Sequence, residues 1–385
     1  MKTKYFDKKI LTTCTRCVLD SSIKEIRFDK KGICNFCHTN DKMENKFPTG
    51  HKGEKILKKI INKIKYSAKN KKYDCIVGVS GGRDSTYTLY NAVKLGLRPL
   101  AVHFDNGWNS KIAVQNIRNA TKILNIDLET VVADWEEFKD LQLAFLKASV
   151  PDGEVPTDWV IFSILFKTAK KIGVKYIIQG HSFRTEGSAP LSWTYMDGRY
   201  VKSVHNMFGK KKIKSFPIMS MFSFIKYSVF YRIRQIRILY YMNYNEKEVM
   251  QLLKDKLNWQ DYGGKHFESR YTSFFQSYIL MNKFKIDKRK LHLSALIRSN
   301  QISRKKALSI LTKNPFVGGK KQQDFILKKL GLNRKEFNFI MSDEVKSYMD
   351  YPTYFRLINK FERIIRLGNI FGLVPDSVIN KYFYS

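Results

Sequence analysis

The feature that most constrains the fold of this chain is a short glycine turn between an apolar segment and a helical one. Residues 73–79 (YDCIVGV) form a nearly continuous apolar run, as a strand buried on both faces requires. The turn 80–85 (SGGRDS) follows directly, and a helical pattern begins at Thr86. Glycines let backbone N–H groups approach an anion closely, and the helix dipole and the hydroxyls of Ser80 and Ser85 add favourable partial charge. The sequence therefore predicts a phosphate cradle at the end of a buried strand.

Strands and helices alternate along the chain after this turn. Further strands are predicted over residues 98–104, 128–132 and 174–179, and helices over 110–124, 135–147 and 158–172. This alternation predicts an α/β fold, a parallel doubly wound sheet with helices on both faces. Ligands bind such sheets at the carboxyl ends of the strands. Three of these ends are polar here: residues 80–85, 103–107 (HFDNG) and 180–186 (GHSFRTE).

Four of the five cysteines form two Cys-x-x-Cys pairs near the N-terminus, with sixteen residues between the pairs. The four are Cys14, Cys17, Cys34 and Cys37. This spacing is typical of a four-thiolate zinc site, in which one tight turn aims two sulfurs at one ion. His38 is an alternative ligand, and two disulfides are the alternative chemistry, which a reducing cytosol disfavours. We expect a structural zinc ribbon with no coordination position open for catalysis.

The charge balance favours anionic partners. Lys and Arg number 70 against 34 Asp and Glu, a formal net charge of +36, which suits nucleic acid, phosphorylated small molecules or an anionic membrane face. No segment approaches about 20 apolar residues, and residues 1–4 lead into no apolar run, so a cytoplasmic protein without spanning helix or secretory signal is expected. Three domains are predicted: a zinc ribbon and linker (1–50), a nucleotide-binding domain (51–205) and a helical C-terminal domain (206–385).

Residues 198–245 contain no Asp or Glu but ten Lys and Arg, interleaved with aromatic residues. One interpretation is a solvated basic face over an aromatic core. The functional alternatives are a groove for a nucleotide sugar or tRNA, or a surface that associates weakly with anionic lipid.

Two charged motifs interrupt the helical apolar patterns of the C-terminal third. They are residues 262–269 (YGGKHFES) and 286–294 (IDKRKLHLS). A domain packed over a nucleotide would place cations here for a leaving pyrophosphate or for sugar phosphates. The candidate catalytic residues are therefore Lys265, Lys288 and Arg289, together with Asp84 of the turn.

The turn matches neither the GxxxxGK[ST] nor the GxGxxG pattern. Placed after an apolar strand, SGGxDS instead resembles the pyrophosphatase loop (PP-loop) of the ATP pyrophosphatase superfamily, which includes GMP synthetase, NAD synthetase, asparagine synthetase and tRNA-thiolating enzymes. The resemblance implies a fold of PP-loop type and an ATP site. Residues carried over to this site are Ser80, Gly81, Gly82, Asp84 and Ser85 for the pyrophosphate and its Mg²⁺, with Arg83 at the variable position.

The other two polar strand ends complete the implied nucleotide site. His103 and Asp105 would lie near the adenosine, and Gly180 belongs to the third strand end. Glu186 falls where relatives place an acidic metal ligand, which makes it a candidate for Mg²⁺.

Taken together, the cysteine ribbon, SGGRDS, the strand end HFDNGW and the motifs YGGKHFES and IDKRKxHLS resemble the N-acetyl sugar amidotransferase family over nearly the whole chain. The resemblance implies a role in lipopolysaccharide O-antigen or related surface-glycan biosynthesis. ATP would adenylate a carbonyl oxygen of a nucleotide-activated N-acetyl sugar, and ammonia would displace AMP. The sugar, and the choice between a carboxylate and an acetamido group as acceptor, stay open.

No glutaminase is visible in the sequence, because Lys2 follows Met1 and Cys75 has no nucleophile-elbow context. The resemblance implies a separate glutaminase subunit and a cyclase-like subunit that delivers ammonia. We therefore expect the chain alone to use ammonium salts but not glutamine.

Two alternative functions remain at this point. A PP-loop tRNA thiolation enzyme can also combine zinc knuckles with SGGxDS, but such enzymes usually carry further cysteines in the catalytic domain, and this chain has only Cys75. The other alternative is a zinc-ribbon nucleic-acid-binding protein with an inactive nucleotide fold, against which the intact Ser80, Asp84 and Ser85 argue. Nucleic acid is therefore not the expected partner.

Overall fold

The centre of the molecule is a five-stranded sheet in which every neighbouring pair of strands is parallel. A computed structural model describes residues 11–371, 373–374 and 376–383, so Met1 and Lys2, on which the expectation about an N-terminal nucleophile rests, lie outside the described residues. The strand order is β3-β2-β1-β4-β5. The strands are β1 (Cys75–Gly78), β2 (Pro99–Asp105), β3 (Leu128–Val132), β4 (Tyr176–Ile178) and β5 (Arg234–Ile236).

Helices precede, connect and follow these strands. They are α1 (Asn35–Lys46), α2 (Gly50–Ser67), α3 (Arg83–Lys94), α4 (Lys111–Ile123), α5 (Trp135–Lys147), α6 (Val155–Ile172), α7 (Phe183–Glu186), α8 (Gly198–Phe208), α9 (Met221–Ile225), α10 (Glu246–Leu257), α11 (Arg270–Phe274), α12 (Leu280–Asn282), α13 (Arg289–Arg298), α14 (Arg304–Leu311), α15 (Gly319–Leu330), α16 (Arg334–Ser342), α17 (Phe355–Lys360), α18 (Glu362–Ile370) and α19 (Asp376–Phe383). Single π-helical turns continue α9 (Lys226–Phe230) and α11 (Phe275–Ile279). None of the helices within the described residues combines the length and apolar character needed to cross a bilayer.

Alternate side chains of β1 enter two different cores, as the pleat of a strand requires. Ile76 belongs to a core with α5 and α6, whereas Cys75 and Val77 belong to a core with α2, α3, α4 and α10. The sheet is therefore covered on both faces, which explains why the sequence around β1 is a nearly continuous apolar run. The predicted fold class, a doubly wound parallel sheet with an N-terminal cysteine module and a helical C-terminal region, is confirmed.

Most predicted elements are present with small shifts of their ends. The bounds of β3 and α5 match the prediction, while the third predicted strand, over residues 174–179, is shorter and forms only Tyr176–Ile178. No strand is predicted from the sequence where β5 lies. This strand has only three residues, all half-buried, and so lacks the alternation that marks a longer strand. In the chain, β5 lies after the predicted domain boundary at residue 205. The division into three domains stays a prediction.

The N-terminal cysteine module packs against the C-terminal region and is not isolated from it. Two antiparallel bridges, Thr13 with Asp20 and Phe28 with Cys34, hold its knuckles. The guanidinium of Arg304 donates hydrogen bonds of 3.0 Å to the carbonyls of Cys14 and Cys17. These contacts connect the module to α14, which lies almost 300 residues further along the chain.

Candidate active site

A cavity of about 760 Å³ lies at the carboxyl edge of the sheet. It is lined by the ends of β1, β2 and β4, which are the three polar strand ends expected from the sequence. Residues 259, 261–266, 268 and 269 and residues 288 and 292 close it from the other side. The cavity thus unites the glycine turn with both C-terminal motifs, and its volume is in the upper part of the range of about 300–1,000 Å³ typical of small-molecule sites.

The turn 80–85 has the geometry of an anion cradle at the N-terminus of α3. Gly81 has φ +75°, and a Cβ there would lie 2.1 Å from the carbonyl oxygen of Ala113. Only glycine therefore lets the turn fold this tightly against α4. The Oγ atoms of Ser80 and Ser85 lie 3.2 Å apart, and the N–H of Gly82 donates to Ser80 Oγ over 3.2 Å.

The end of β4 approaches this cradle closely. A Cβ on Gly180 would lie 2.8 Å from Cα of Ser85 and 2.9 Å from its backbone nitrogen. Any larger residue at position 180 would push β4 away from the start of α3. The close approach explains the glycine and makes Gly180 part of the cavity wall.

One lysine of the cavity wall lies between two carboxylates. Lys265 Nζ lies 3.2 Å from Asp84 Oδ2 and 3.2 Å from Glu186 Oε1. Burial by itself would raise the pKa of Asp84, but the charges of Lys265 and Arg83 outweigh it and hold this pKa well below its usual range. Burial would lower the pKa of Lys265, and the two carboxylates instead raise it. All three side chains are therefore charged at neutral pH.

Arg83 is the second cation held by two carboxylates. Its Nε lies 2.9 Å from Asp84 Oδ1, and its terminal nitrogen lies 2.6 Å from Glu246 Oε1 at the start of α10. The hydroxyl of Tyr244 donates a hydrogen bond to the same Asp84 oxygen. The backbone N–H of Arg83 donates to the hydroxyl of Tyr262 over 3.2 Å. Position 83 therefore anchors the cradle to segments about 160 and 180 residues away.

Glu186 also contacts a histidine that is neutral at physiological pH. His181 Nε2 lies 3.2 Å from Glu186 Oε2, and its Nδ1 lies 3.1 Å from the hydroxyl of Tyr240. A carboxylate accepts, so Nε2 carries the proton and Nδ1 accepts from the tyrosine. Burial lowers the pKa of His181 to about 4, and the nearby Glu186 offsets this only in part.

His103 joins the ends of β1 and β2. Its Nδ1 donates to the carbonyl of Val79 over 2.9 Å, and Asn109 Nδ2 donates to its Nε2 over 3.0 Å. Burial lowers the pKa of His103, in agreement with a neutral ring that donates once and accepts once. The ring lines the cavity.

An apolar slot lies beside the cradle. Its wall residues are Gly78, Val102, Ile161, Leu165 and Ile178. They come from three strands and from α6, and none of them offers a charged group. A flat aromatic ring such as a nucleobase fits a surface of this kind.

Three predicted site residues do not line the cavity. Gly81 supports the turn from behind, and the Asp105 carboxylate accepts from the N–H of Gly107 over 2.8 Å, which shapes the turn after β2. Arg289 forms a bidentate pair with Asp287 and donates to carbonyls at the end of α14, among them that of Lys313 over 2.8 Å. The structure therefore does not place Arg289 where the predicted catalytic role requires it, because its guanidinium is engaged between α13 and α14.

The remaining predicted residues line the cavity together. They are Ser80, Gly82, Arg83, Asp84, Ser85, His103, Gly180, Glu186, Lys265 and Lys288. Several neighbours of these residues are not among the residues predicted from the sequence. Tyr244 and Glu246 have no local signal, whereas Tyr262, Glu268 and His292 stand inside the two quoted motifs and could have been named from them.

Glu268 is the most informative of these missed residues. Its Oε2 is buried and, among the described residues, has no hydrogen-bond partner. Its Oε1 would lie 3.1 Å from a Cβ on Gly82, so the carboxylate is next to the cradle. Together with Asp84 and Glu186 it supplies hard oxygen atoms of the kind that Mg²⁺ prefers. The donor set therefore fits a magnesium-bound polyphosphate.

The four cysteines of the N-terminal module form one compact cluster. All four Sγ atoms lie within 4.8 Å of one another, with Cys14 and Cys37 at 4.0 Å and Cys17 and Cys34 at 3.7 Å. A tetrahedral ion with bonds of about 2.3 Å needs sulfur separations of about 3.8 Å, which these distances match. The cluster is a metal site. The alternative ligand His38 instead pairs with Asp29 at 2.9 Å.

One helix connects the metal site with the cavity. On α13, the hydroxyl of Ser294 accepts from the N–H of Val18, and Arg298 lies 3.9 Å from the Sγ of Cys37. His292 on the same helix, with Lys288 just before it, lines the cavity, and His292 Nε2 lies 3.5 Å from Glu246 Oε2. The metal site therefore supports one wall of the cavity from behind.

The parallel sheet, the SGGRDS turn at the N-terminus of α3 and the charged cavity define an α/β protein with a candidate anion site at the carboxyl edge of its sheet. Residues 268–364 match a family model described as "LPS biosynthesis protein WbpG-like, C-terminal domain". The match covers Glu268, Lys288 and His292 of the cavity wall. The predicted resemblance to proteins of lipopolysaccharide biosynthesis is thus confirmed over residues 268–364, which are similar to the C-terminal domain of that family.

Other comparisons are less specific. An uncharacterized protein of Methanocaldococcus jannaschii is 34% identical over 176 residues, 44% of this chain, and the chain spans only 58% of that relative's length. Solved structures include a predicted subunit of tRNA methyltransferase from M. jannaschii (15% identity, 46% of this chain and 72% of that chain, TM-score 0.28). An NMN synthetase from Francisella tularensis is 16% identical (58% and 92% coverage, TM-score 0.26). The U34-tRNA thiolase NcsA from Methanococcus maripaludis is 14% identical (76% and 89% coverage, TM-score 0.31). These overlaps are too loose to support a function.

Proposed function

We propose that this chain is an ATP-dependent, AMP-forming amidotransferase that transfers ammonia to a nucleotide-activated N-acetyl sugar. The observation that carries the proposal is the position of Lys265 of the motif YGGKHFES, which lies 3.2 Å from Asp84 of the cradle. The same cavity is lined by Lys288 and His292 of the WbpG-like region. The WbpG-like match supports a place in lipopolysaccharide O-antigen or related surface-glycan biosynthesis, in the cytoplasm where ATP and nucleotide sugars are made.

The reaction has two steps in this proposal. A carbonyl oxygen of the sugar attacks the α-phosphorus of ATP, pyrophosphate leaves, and ammonia then adds to the activated carbon while AMP departs. The cradle N–H groups, Ser80, Ser85 and Lys265 stabilise the charge that develops on the pyrophosphate. A carboxylate acceptor yields an amide and an acetamido acceptor yields an acetamidino group. Both conversions exchange one oxygen for one NH unit, so fragment ions that locate the new nitrogen, and not the total mass, distinguish them.

Magnesium would be held by Asp84, Glu186 and Glu268, and would supply charge neutralisation on the phosphates. Lys265 lies between the first two carboxylates and would release them to the ion as the nucleotide phosphates engage its own amine. Neutral His181 would keep Glu186 oriented through the 3.2 Å contact between its Nε2 and Glu186 Oε2. Binding of the magnesium-bound nucleotide therefore requires a rearrangement of ion pairs that are already present and are buried from bulk water.

Zinc is the ion proposed for the cysteine cluster. Four buried thiolates at tetrahedral separations leave no position for a water or substrate, so the ion is structural. Zinc with four thiolates has a net charge of −2, and the guanidinium of Arg298 near Cys37 balances part of it.

Ammonia is proposed to come from a separate glutaminase and a cyclase-like subunit that delivers it. All five cysteines of the chain are within the described residues, and none lines the cavity. Cys75 is buried in the sheet, and burial raises the pKa of its thiol, so it is a poor nucleophile. The same observation disfavours tRNA thiolation that depends on a cysteine in the cavity.

The deciding experiment measures which nucleotide product forms. The purified chain is incubated with ATP, Mg²⁺, ammonium chloride and a panel of UDP-linked N-acetyl sugars, with and without a carboxylate. Acceptor-dependent AMP and pyrophosphate are expected, with a product about 1 Da lighter per transferred nitrogen. Formation of ADP, or turnover without nucleotide, would overturn the proposal.

A second reaction tests the nitrogen source. Replacing ammonium by glutamine should abolish product formation, and adding an unrelated active glutaminase should restore it through free ammonia. Efficient glutamine use by the chain alone would refute the proposed division between subunits.

A further inference from the structure

A second pocket lies at the amino edge of the sheet, opposite the catalytic cavity. It has a volume of about 460 Å³ and is lined by four cations, Lys63, Lys175, Arg232 and Arg234, and by Tyr66. No acidic residue is among its lining residues. Lys175 precedes β4 and Arg234 begins β5, so the pocket is at the end of the parallel strands where no substrate site is expected.

Within the part of the chain that the structure describes, the cations of this pocket have no acidic partners. None of the ion pairs within the described residues involves Lys63, Lys175, Arg232 or Arg234. Of the carboxylates at the amino ends of other strands, Asp74 before β1 pairs with Arg98 at 2.7 Å and Glu129 of β3 pairs with Lys171 at 3.2 Å. The pocket therefore presents uncompensated positive charge to solvent.

An apolar helix face leads into this pocket. In the helix formed by α9 and its π-helical continuation, the exposed fractions are 77% for Phe222, 45% for Ile225, 38% for Val229 and 78% for Phe230. Lys226 is exposed on the same helix. Large apolar side chains this exposed, next to one another, mark an interaction surface.

The exposed face belongs to a helix whose other face is firmly packed. Phe224 contacts Phe162 and Phe166 of α6 with ring centroids 5.6 and 5.7 Å apart, and Tyr227 contacts Phe166 at 6.1 Å. Because the inner aromatic residues are held by α6, the outer ones cannot turn inward without breaking these contacts. Their exposure is a property of the folded chain.

The helix and the pocket form one continuous surface. Tyr231 directly follows the helix, and Lys170 Nζ of α6 lies 5.7 Å from its ring centroid. Arg232 of the pocket is the next residue, and the whole stretch 198–245 lacks Asp and Glu. The surface thus combines projecting apolar side chains with a rim of cations.

We propose that this surface docks the protein on an anionic lipid bilayer. Apolar side chains would enter the headgroup boundary while cations attract the negative surface, and the pocket would hold a lipid phosphate. Ile225 and Val229 favour lipid over nucleic acid, because aliphatic side chains gain from hydrocarbon but do not stack on bases. The surface is at the edge opposite the cavity, so the catalytic cavity would face away from the bilayer.

The test is co-sedimentation of the full chain with vesicles of phosphatidylcholine, alone or with added phosphatidylglycerol. Binding is expected only with the anionic lipid and should weaken as salt rises. Replacing Arg232 and Arg234 by Ala should lower the partition coefficient roughly 25-fold, about fivefold for each cation. The matched control replaces Lys305 and Lys306, two exposed cations of α14, and should bind as the unmodified chain does.

A second pair of variants tests the apolar contribution. Phe222→Ser with Phe230→Ser should lower the partition coefficient at least several-fold, whereas Phe339→Ser, which replaces an aromatic side chain 72% exposed on α16, should not. All variants should retain acceptor-dependent ATP turnover, because none of the replaced residues lines the cavity.

Three results would overturn the proposal. The first is equal or absent binding to both kinds of vesicle. The second is salt-dependent tRNA binding that the Arg232 and Arg234 variants abolish while vesicle binding is absent. The third is a self-associated protein that Phe222→Ser with Phe230→Ser converts to a monomer without a change in vesicle binding.

Discussion

The two edges of the central sheet use the same cationic residue types in opposite ways. At the carboxyl edge, Arg83 and Lys265 are each held by two carboxylates and are largely withdrawn from solvent, with side chains 12% and 17% exposed. At the amino edge, Lys175 and Arg232 are exposed and have no acidic partner among the described residues. Whether carboxylates pair with a cation therefore decides, more than the type of cation does, which ligands that cation can bind.

This difference has an energetic consequence. Removing one member of a buried charge pair leaves the other charge uncompensated, at a cost of about 3–5 kcal/mol. An exposed cation interacts weakly, by about 1 kcal/mol or less with a single partner. A ligand that enters the cavity therefore has to exchange charge pairs, whereas a ligand at the amino edge displaces only water and counterions. Substitutions at the two edges should differ greatly in their effects.

The largest effect is expected for Asp84→Asn. The variant keeps the side-chain size but removes the charge that holds Lys265 and Arg83, so acceptor-dependent pyrophosphate release should fall about 10³-fold. Vesicle binding should be unchanged, because the amino edge is untouched. Asp255→Asn, at an exposed position of α10, is the control. Full activity of Asp84→Asn would show that the nucleotide fold has no catalytic role.

A smaller loss is expected for Lys265→Met, which removes the amine between Asp84 and Glu186. Turnover should fall about 10²-fold, since one stabilising charge on the pyrophosphate is lost. The pKa of Glu186, which the amine lowers against the effect of burial, should rise, so the remaining activity should shift to higher pH. An unchanged pH–rate profile, measured by pyrophosphate release, would contradict this account of the cavity.

Metal removal should weaken the carboxyl edge and spare the amino edge. Chelation, or Cys34→Ser, should lower the melting temperature and reduce turnover about tenfold, because α13 carries cavity residues and packs on the cysteine module. Metal analysis should give one ion per chain, and vesicle binding should persist. Retained turnover after complete loss of the metal would show that the metal site does not support the cavity.

Acid should destabilise the carboxyl edge through His181. Its pKa is lowered to about 4 in the folded chain, against about 6.5 when unfolded, so between these values the unfolded chain binds an extra proton. The free energy of unfolding should therefore fall as pH drops from about 6.5 to 4. His181→Gln should flatten this part of the profile in denaturant titrations. Solvent around this partly exposed ring reduces the size of the effect, and an unchanged profile would contradict it.

The smallest effect is expected for an exposed pair near the amino edge. Lys171→Ala breaks the pair with Glu129 at 3.2 Å, in which the lysine side chain is 70% exposed. The free energy of unfolding should change by less than about 1 kcal/mol, and turnover should stay the same. A loss of turnover as large as that expected for Lys265→Met would contradict the difference between the two edges.

Features encoded by short stretches of chain could be predicted from the sequence. The strand–SGGRDS–helix unit, the bounds of α5 and the cysteine cluster each depend on residues close together in the chain, as periodicity and Cys-x-x-Cys spacing do. β5 could not be predicted, because a three-residue strand has no recognisable period.

The same limit applies within the cavity. Lys265 is predicted from its motif and Glu186 from the resemblance at the third strand end, and the structure brings them together across 79 residues of chain. Arg289 stands in the same kind of motif, but its guanidinium lies between α13 and α14. Sequence spacing indicates that charges are present in a segment, and the direction in which each points depends on how the helix packs.

The sequence by itself determined the doubly wound sheet, the anion cradle and the four-thiolate cluster, because local backbone preference and ligand spacing suffice for them. Tertiary structure alone decided that Glu246 meets Arg83 and that α13 joins the metal cluster to the cavity. It alone also decided that cations with no acidic partner among the described residues gather at the amino edge. The physical reason is that these arrangements depend on which buried surfaces pack together over more than a hundred residues, and no local period records that choice.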